Sequence, residues 1–143
     1  MSAGTVRIEG IHHHSVVVSD LRRAVAFYRD VLGLQQVPTP PTFRFAVAWF
    51  SLGDGQQIHL LWAPEAEGRG QRHIALHTAD TAAARERLRA LGCAVEETTP
   101  IPGADRFFTE DPDGNRIELI RWERPWDDTV RALGLRAPAP AEA

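Results

Sequence analysis

An eight-residue pattern occurs twice in this chain, and a duplication limits the possible folds more than any single motif. Asp54-Gly55-Gln56-Gln57-Ile58-His59-Leu60-Leu61 returns as Asp113-Gly114-Asn115-Arg116-Ile117-Glu118-Leu119-Ile120. Each copy is an Asp-Gly turn leading into a short apolar strand. The two strands carry a polar residue in the same slot, His59 in one and Glu118 in the other.

A second pair of segments lies upstream. His13 to Asp20 matches His73 to Asp80, with histidine seven residues before aspartate in both. Each segment runs into an amphipathic helical pattern closed by Leu-Gly, at Leu32-Gly33 and Leu91-Gly92. The repeat offset of about sixty residues marks two copies of one supersecondary unit. Four candidate metal ligands fall out of the alignment: His13, His59, His73 and Glu118.

The 143 residues suit one compact domain or two small modules that share a core, and the duplication favours the second. A net charge of −3 provides no basic field for nucleic acid and no polybasic membrane patch, so the expected partner is a small molecule. Cys93, the single cysteine, excludes an intrachain disulfide framework and reads as a buried thiol after the Leu91-Gly92 turn. Met1 to Gly10 is too poor in apolar residues for a signal peptide, and no run approaches a membrane span, which points to the cytoplasm.

The fold class expected is α+β, with two βαβββ modules. Residues 1–10 form a leader, 11–63 module one, 64–71 a linker, 72–123 module two, and 124–143 a short helix with a frayed tail. In module one, a strand over Ile11–Val18 precedes a helix over Leu21–Leu32, capped by Ser19 or Asp20. Strands over Leu34–Val37 and Phe43–Leu52 and the His59 strand follow. Module two repeats the order with a strand at His73–His77, a helix at Thr81–Leu91, strands at Cys93–Glu97 and Arg106–Thr109, and a last strand at Asn115–Trp122. A helix over Asp127–Leu133 closes the chain.

Side chains alternate across a strand, so His13, Ser15 and Val17 share one face, and His73, Ala75 and His77 share the equivalent face. The apolar face of each sheet turns to its helix. The His13 and His73 faces, with His59 and Glu118, should line the opposite side. A lone histidine is more often an ordinary polar residue than a ligand. Four residues in two pairs of equivalent slots are another matter, and imidazole with carboxylate suits a divalent ion. His12 and His14 alternate away and read as surface or satisfied histidines, while His77 is a candidate contact beside His73.

At this point the chain resembles the glyoxalase, bleomycin-resistance and extradiol-dioxygenase superfamily, the vicinal oxygen chelate proteins. The matching residues are His13 to Asp20, Ala24 to Leu34, and Phe107 to Leu119. The resemblance implies curved mixed sheets enclosing a metal, which a substrate chelates through two neighbouring oxygens. His13, His59, His73 and Glu118 fall where metal-binding members keep ligands. Glyoxalase I commonly presents a glutamate where this chain has His59.

The expected activity is a metal-dependent lyase or isomerase of the glyoxalase type, with Glu118 as catalytic base and one divalent ion per site, nickel, cobalt, zinc, manganese or iron. An Fe(II) extradiol-type dioxygenase using His13, His73 and Glu118 is the alternative, and a metal-free drug-sequestering protein the third reading. Phe45, Trp49, Trp62, Phe108 and Trp122 are candidate pocket walls, of which two or three should touch ligand. Exposed sheet edges suggest a homodimer.

Overall fold

The computed structural model of the chain describes residues 7, 9–66 and 70–136. Leader residues 1–6 and 8, the middle of the linker at 67–69 and the tail at 137–143 lie outside the described residues. The strands are β1 (His13–Val18), β2 (Gln35–Val37), β3 (Val47–Gly53), β4 (Gln56–Trp62), β5 (His73–His77), β6 (Glu96–Glu97), β7 (Ala104–Glu110) and β8 (Arg116–Trp122). The α-helices are α1 (Leu21–Ala26), α2 (Thr81–Ala90) and α3 (Trp126–Leu133). Two four-stranded mixed sheets result, ordered β1-β4-β3-β2 and β5-β8-β7-β6, so the fold is α+β with the βαβββ order repeated. No helix among the described residues is long and apolar enough to cross a membrane.

The chain divides into two compact units, Met1–Arg69 with Asp111–Asn115, and Gly70–Glu110 with Arg116–Ala143. In the first, β1 runs parallel to β4 while β2, β3 and β4 pair antiparallel. The register sets His14, Val16 and Val18 beside Ile58, Leu60 and Trp62, and the buried Val16, Val18, Ile58, Leu60, Ala48 and Phe50 form the helix-side core. Each large apolar side chain buried there contributes about 1.5–3 kcal/mol. Asp20 caps α1 by accepting from the Arg23 amide at 3.0 Å, which satisfies one of the free N–H groups at a helix start.

The helix expected over Leu21–Leu32 is α-helical only to Ala26. Phe27–Val31 widens into a π-helical turn, with the Leu32 amide donating to the Phe27 carbonyl at 3.0 Å. The neighbours Phe27 and Tyr28 are both buried in this widened turn. The buried Tyr28 hydroxyl donates to Asp111 Oδ2 at 2.9 Å. Burial, with the Asp111 charge beside it, raises the phenol well above its ordinary range. Asp111 also accepts from the Asp113 and Asn115 amides at 2.9 and 2.8 Å and from Asn115 Nδ2 at 2.7 Å, which organises the whole 111–115 turn.

The second unit repeats the plan. β5 runs parallel to β8, and β6, β7 and β8 pair antiparallel. Leu88 of α2 is buried, as are Ile74, Phe107 and Ile117 of the sheet. β6 is two residues long instead of the expected five, because Cys93–Val95 has no strand partner. In β3, pairing starts at Val47, well past the expected Phe43, and Thr42 to Ala46 after the prolines remains irregular.

A charged cluster ties α2 to β7. Arg85 donates to Asp105 Oδ2 at 2.7 Å and Oδ1 at 2.9 Å, and to both Glu97 oxygens, while Thr81 Oγ1 also donates to Asp105. The Arg85 hydrogen bonds, then that of Thr81, pull the Asp105 carboxyl down from 3.8 to about 2. A depressed folded-state value means that the cluster contributes fully above pH 3.8 and loses its contribution as pH falls toward 2. Asp105 is 38 % exposed, so water screens the pair and the contribution is about 1 kcal/mol. Denaturant unfolding between pH 5 and pH 2 should therefore show a shallower loss for Arg85→Met than for the parent chain. Parallel curves would refute this assignment.

Candidate metal centre

Parallel pairing of the first and last strand of each module is what assembles each candidate pair. In the first unit Ser15 lies opposite His59 and His13 opposite Gln57, so His13 and His59 project from one face of the sheet, away from Ile58 and Leu60. Trp49 is opposite His59 on β3. The three rings form one stack, with His59 centred 3.9 Å from Trp49 at 1° and 3.9 Å from His13 at 18°. His59 is 5 % exposed. Burial, and then the neighbouring His13 and His12, lowers its imidazole to about 4, so the ring is neutral near pH 7. Nε2 donates to Gln57 Oε1 at 2.7 Å, which leaves the lone pair on Nδ1. His13 shares a 2.8 Å hydrogen bond with His12 through their Nδ1 atoms, leaving its Nε2 outside that bond.

In the second unit Ala75 lies opposite Glu118, with His73 on the same face. The His73 Nδ1–H donates to the Gln71 carbonyl at 2.9 Å, so in the neutral ring Nε2 carries the lone pair. His73 Nε2 stands 3.2 Å from Glu118 Oε2, a contact that is a salt bridge when the ring is protonated. Glu118 is 6 % exposed, and its other oxygen, Oε1, accepts from Arg106 Nη1 at 3.2 Å. Phe108, opposite Glu118 in register, stands perpendicular to the His73 ring with centroids 5.0 Å apart.

These groups can be tested against a metal. A neutral imidazole nitrogen and a carboxylate oxygen are both acceptors, and at 3.2 Å they need a proton or a cation between them. Two atoms that share an ion at about 2.1 Å stand about 3.0–3.4 Å apart, so the His73–Glu118 pair fits. The first-unit pair fits less directly. Ring lone pairs lie in the ring plane, and the planes of stacked His13 and His59 do not meet at a common point beside both nitrogens, so one ring must turn for both to ligate. Among the described residues no three or more His, Cys, Asp and Glu side chains form one metal cluster, and the candidate ligands stand as two pairs, one per unit.

Of the five aromatic wall candidates, Trp49 and Phe108 touch candidate ligands. Phe45 is exposed and stacks on Phe43, and Trp62 donates its indole N–H to the Ser19 carbonyl. Trp122 instead lines an open cavity of about 500 Å³ with Glu123, Arg124, Pro125 and Trp126, which holds none of the candidate ligands. Three further neighbours join the two pairs, one of them His12, which was expected to face away as a surface or satisfied histidine. Gln57 stands two residues from His59 on the same strand face, which alternation alone could have found. His12 precedes the first paired residue of β1, so alternation does not bind it, and its ring turns to His13. Arg106 becomes a neighbour of Glu118 only once the β7–β8 register is known.

Comparison with known proteins gives the same answer as the fold. The chain is 34 % identical over 134 residues to the lactoylglutathione lyase of Salmonella typhimurium, covering 85 % of this chain and 96 % of that one. Among solved structures, the lactoylglutathione lyase of Agrobacterium tumefaciens superposes with a TM-score of 0.64 at 28 % identity, covering 80 % of this chain and 94 % of that one. TnmS3, an antibiotic-binding protein from Streptomyces, gives 0.68 at 27 % identity, covering 82 % and 99 %. Residues 10–119 match the family directly, and the chain belongs to the Glyoxalase/Bleomycin resistance protein/Dioxygenase superfamily.

Proposed function

We propose that this protein is a metal-dependent lyase or isomerase of the glyoxalase type, acting on a small substrate with vicinal oxygens. The observation that carries the reading is the His73–Glu118 contact, an imidazole nitrogen 3.2 Å from a buried carboxylate oxygen, taken with relatives that are lactoylglutathione lyases. His73 and Glu118 would hold a divalent ion, joined by His13 and by His59 after a ring turn. Such an ion supplies Lewis-acid polarisation of a carbonyl and stabilises negative charge as it develops on the substrate oxygen.

The chain's own residues do the rest. Glu118 takes the proton from the carbon next to the polarised carbonyl and returns it to the neighbouring carbon, a transfer in which the carboxylate ends as it began. Gln71, through its carbonyl, keeps the His73 ring in the tautomer that presents Nε2. Trp49, stacked on His59, keeps water from that ring's face, which strengthens charge interactions there.

Elemental analysis after mild loading with Ni(II), Co(II) or Zn(II) tests the metal, and formation or breakdown of lactoylglutathione tests the substrate, followed by a panel of chelating ligands. Metal content near zero in the folded chain would sink the enzyme reading and promote sequestration of a drug-like ligand. The stacked, Gln57-bound His59 is the one observation that favours a second reading, an Fe(II) extradiol dioxygenase using His13, His73 and Glu118 alone. With His59 ligated, four protein groups leave two positions on a six-coordinate ion, enough for a chelating substrate and too few for oxygen as well. Fe(II)-loaded protein with a catechol panel is therefore expected to show no oxygen uptake. Sustained uptake would put the dioxygenase first.

A further inference from the structure

The open cavity of about 500 Å³ is lined by Trp122, the last residue of β8, and by the four residues that lead into α3, all of which follow the stretch 10–119 that matches the family. Its size falls in the range of small-molecule sites, about 300–1,000 Å³. The Trp122 and Trp126 rings stand with centroids 6.1 Å apart and planes inclined at 53°, and Trp126 is 41 % exposed. Arg124, which lines the cavity with them, donates from Nε to Thr129 Oγ1 at 3.0 Å. Thr129 is fully buried in α3, so this anchor is fixed. Gly103 makes room for it. Its φ of +79° lies in the left-handed region, and a Cβ there would stand 2.9 Å from Thr129 Oγ1 and 3.3 Å from Arg124 Nε. The Gly103 carbonyl also accepts from the Glu123 amide at 2.8 Å, which ties the lining segment to the same loop.

A guanidinium held through Nε keeps its Nη1–Nη2 edge for another partner, and among the described residues that edge of Arg124 has none. Glu123, the other charged residue of the lining, is paired with Arg121 Nη2 at 3.6 Å. One positive charge is left to be answered. Two parallel N–H groups match the two oxygens of a carboxylate, and indole faces match a flat apolar ring. We propose that this cavity is a binding site for a small aromatic carboxylate, with its oxygens on Arg124 and its ring against Trp122 and Trp126. A phosphate dianion would call for a second cation, and Arg121 is already neutralised by Glu123. An aromatic ammonium would meet the like charge of Arg124. The site uses none of the candidate metal ligands, so it stands independently of the metal reading.

The test uses the full chain, isotope-labelled for nuclear magnetic resonance and without added metal, with cinnamate as the probe. The chain has four tryptophans, so four indole N–H signals report on four places at once, and Trp122→Phe and Trp126→Phe assign two of them. Cinnamate is expected to shift the Trp122 and Trp126 signals to saturation and to leave those of Trp49 and Trp62 in place. Cinnamamide, the same ring without the charge, should bind about 10-fold more weakly, and Arg124→Met should weaken cinnamate binding by about as much, the scale of hydrogen bonds to a charged group. Arg124→Lys should recover little, because an ammonium cannot hold Thr129 and also present two parallel donors. Trp126→Ala, at an exposed ring, serves as the second variant should those at Arg124 fold poorly, and it too should weaken binding by about 10-fold. Shifts confined to the other two tryptophans, or no saturable shift at all, overturn the proposal. So does an affinity that is unchanged in Arg124→Met, equal for the amide, or higher for cinnamyltrimethylammonium.

Discussion

Asp111→Ala is expected to cost about 3–4 kcal/mol of folding stability, because four donors lose a common buried acceptor at once. The Tyr28 hydroxyl, the Asp113 and Asn115 amides and the Asn115 side chain all converge on this carboxylate, which is 5 % exposed. Hydrogen bonds to a charged group contribute about 1.5–3 kcal/mol each, but they share one acceptor and do not add. Thermal unfolding should fall by about 8–15 °C for a chain of this size. Tyr28→Phe should lose about 1–2 kcal/mol, since Asp111 keeps three donors. A drop of only a degree or two for Asp111→Ala would mean that water replaces the carboxylate and that the 111–115 turn holds without it.

The second large effect concerns the ligand pairs. Glu118→Gln and His73→Ala are each expected to weaken divalent-metal binding by about 100-fold or more, beyond the loss from removing an orienting group, and to abolish turnover. Glutamine keeps the shape of Glu118 but lacks its charge, so retained metal in that variant would place the site elsewhere. The same substitutions decide how the pairs are shared. Mixing His13→Ala chains with Glu118→Ala chains restores part of the metal binding if one centre draws its pairs from two copies of the chain, as expected for a homodimer with a shared site. No recovery means that each centre is built from a single chain.

Local pattern carried much of this architecture. The duplicated Asp-Gly strands and the His-to-Asp spacing identify β1, β4, β5 and β8, and alternation along them puts His13 with His59 and His73 with Glu118. What stayed hidden has a common cause: it depends on residues distant in sequence. The π-helical turn keeps an apolar stripe that reads as plain helix, and the Tyr28–Asp111 bond made from within it spans 83 positions. Arg106 offers no local hint either, because its partners are a carbonyl in the 98–103 loop and a carboxylate on the next strand. The His59 stack was equally out of reach, since alternation assigns a face and says nothing of how rings turn on it.

The parallel pairing that brings each candidate pair together also sets when it can form. β1 meets β4, and β5 meets β8, only after the whole intervening module has been looped back, whereas the hairpins β3–β4 and β7–β8 close locally. Loop entropy makes such long-range closures late events. The hairpins should therefore be formed in the folding transition state, with the first strand of each module still undocked and the ligand pairs still apart. An ion that needs both members of a pair would then find nothing to hold until the barrier has been crossed. Added metal should leave the refolding rate of this chain unchanged and slow its unfolding, so that occupancy is recorded as lifetime of the native state.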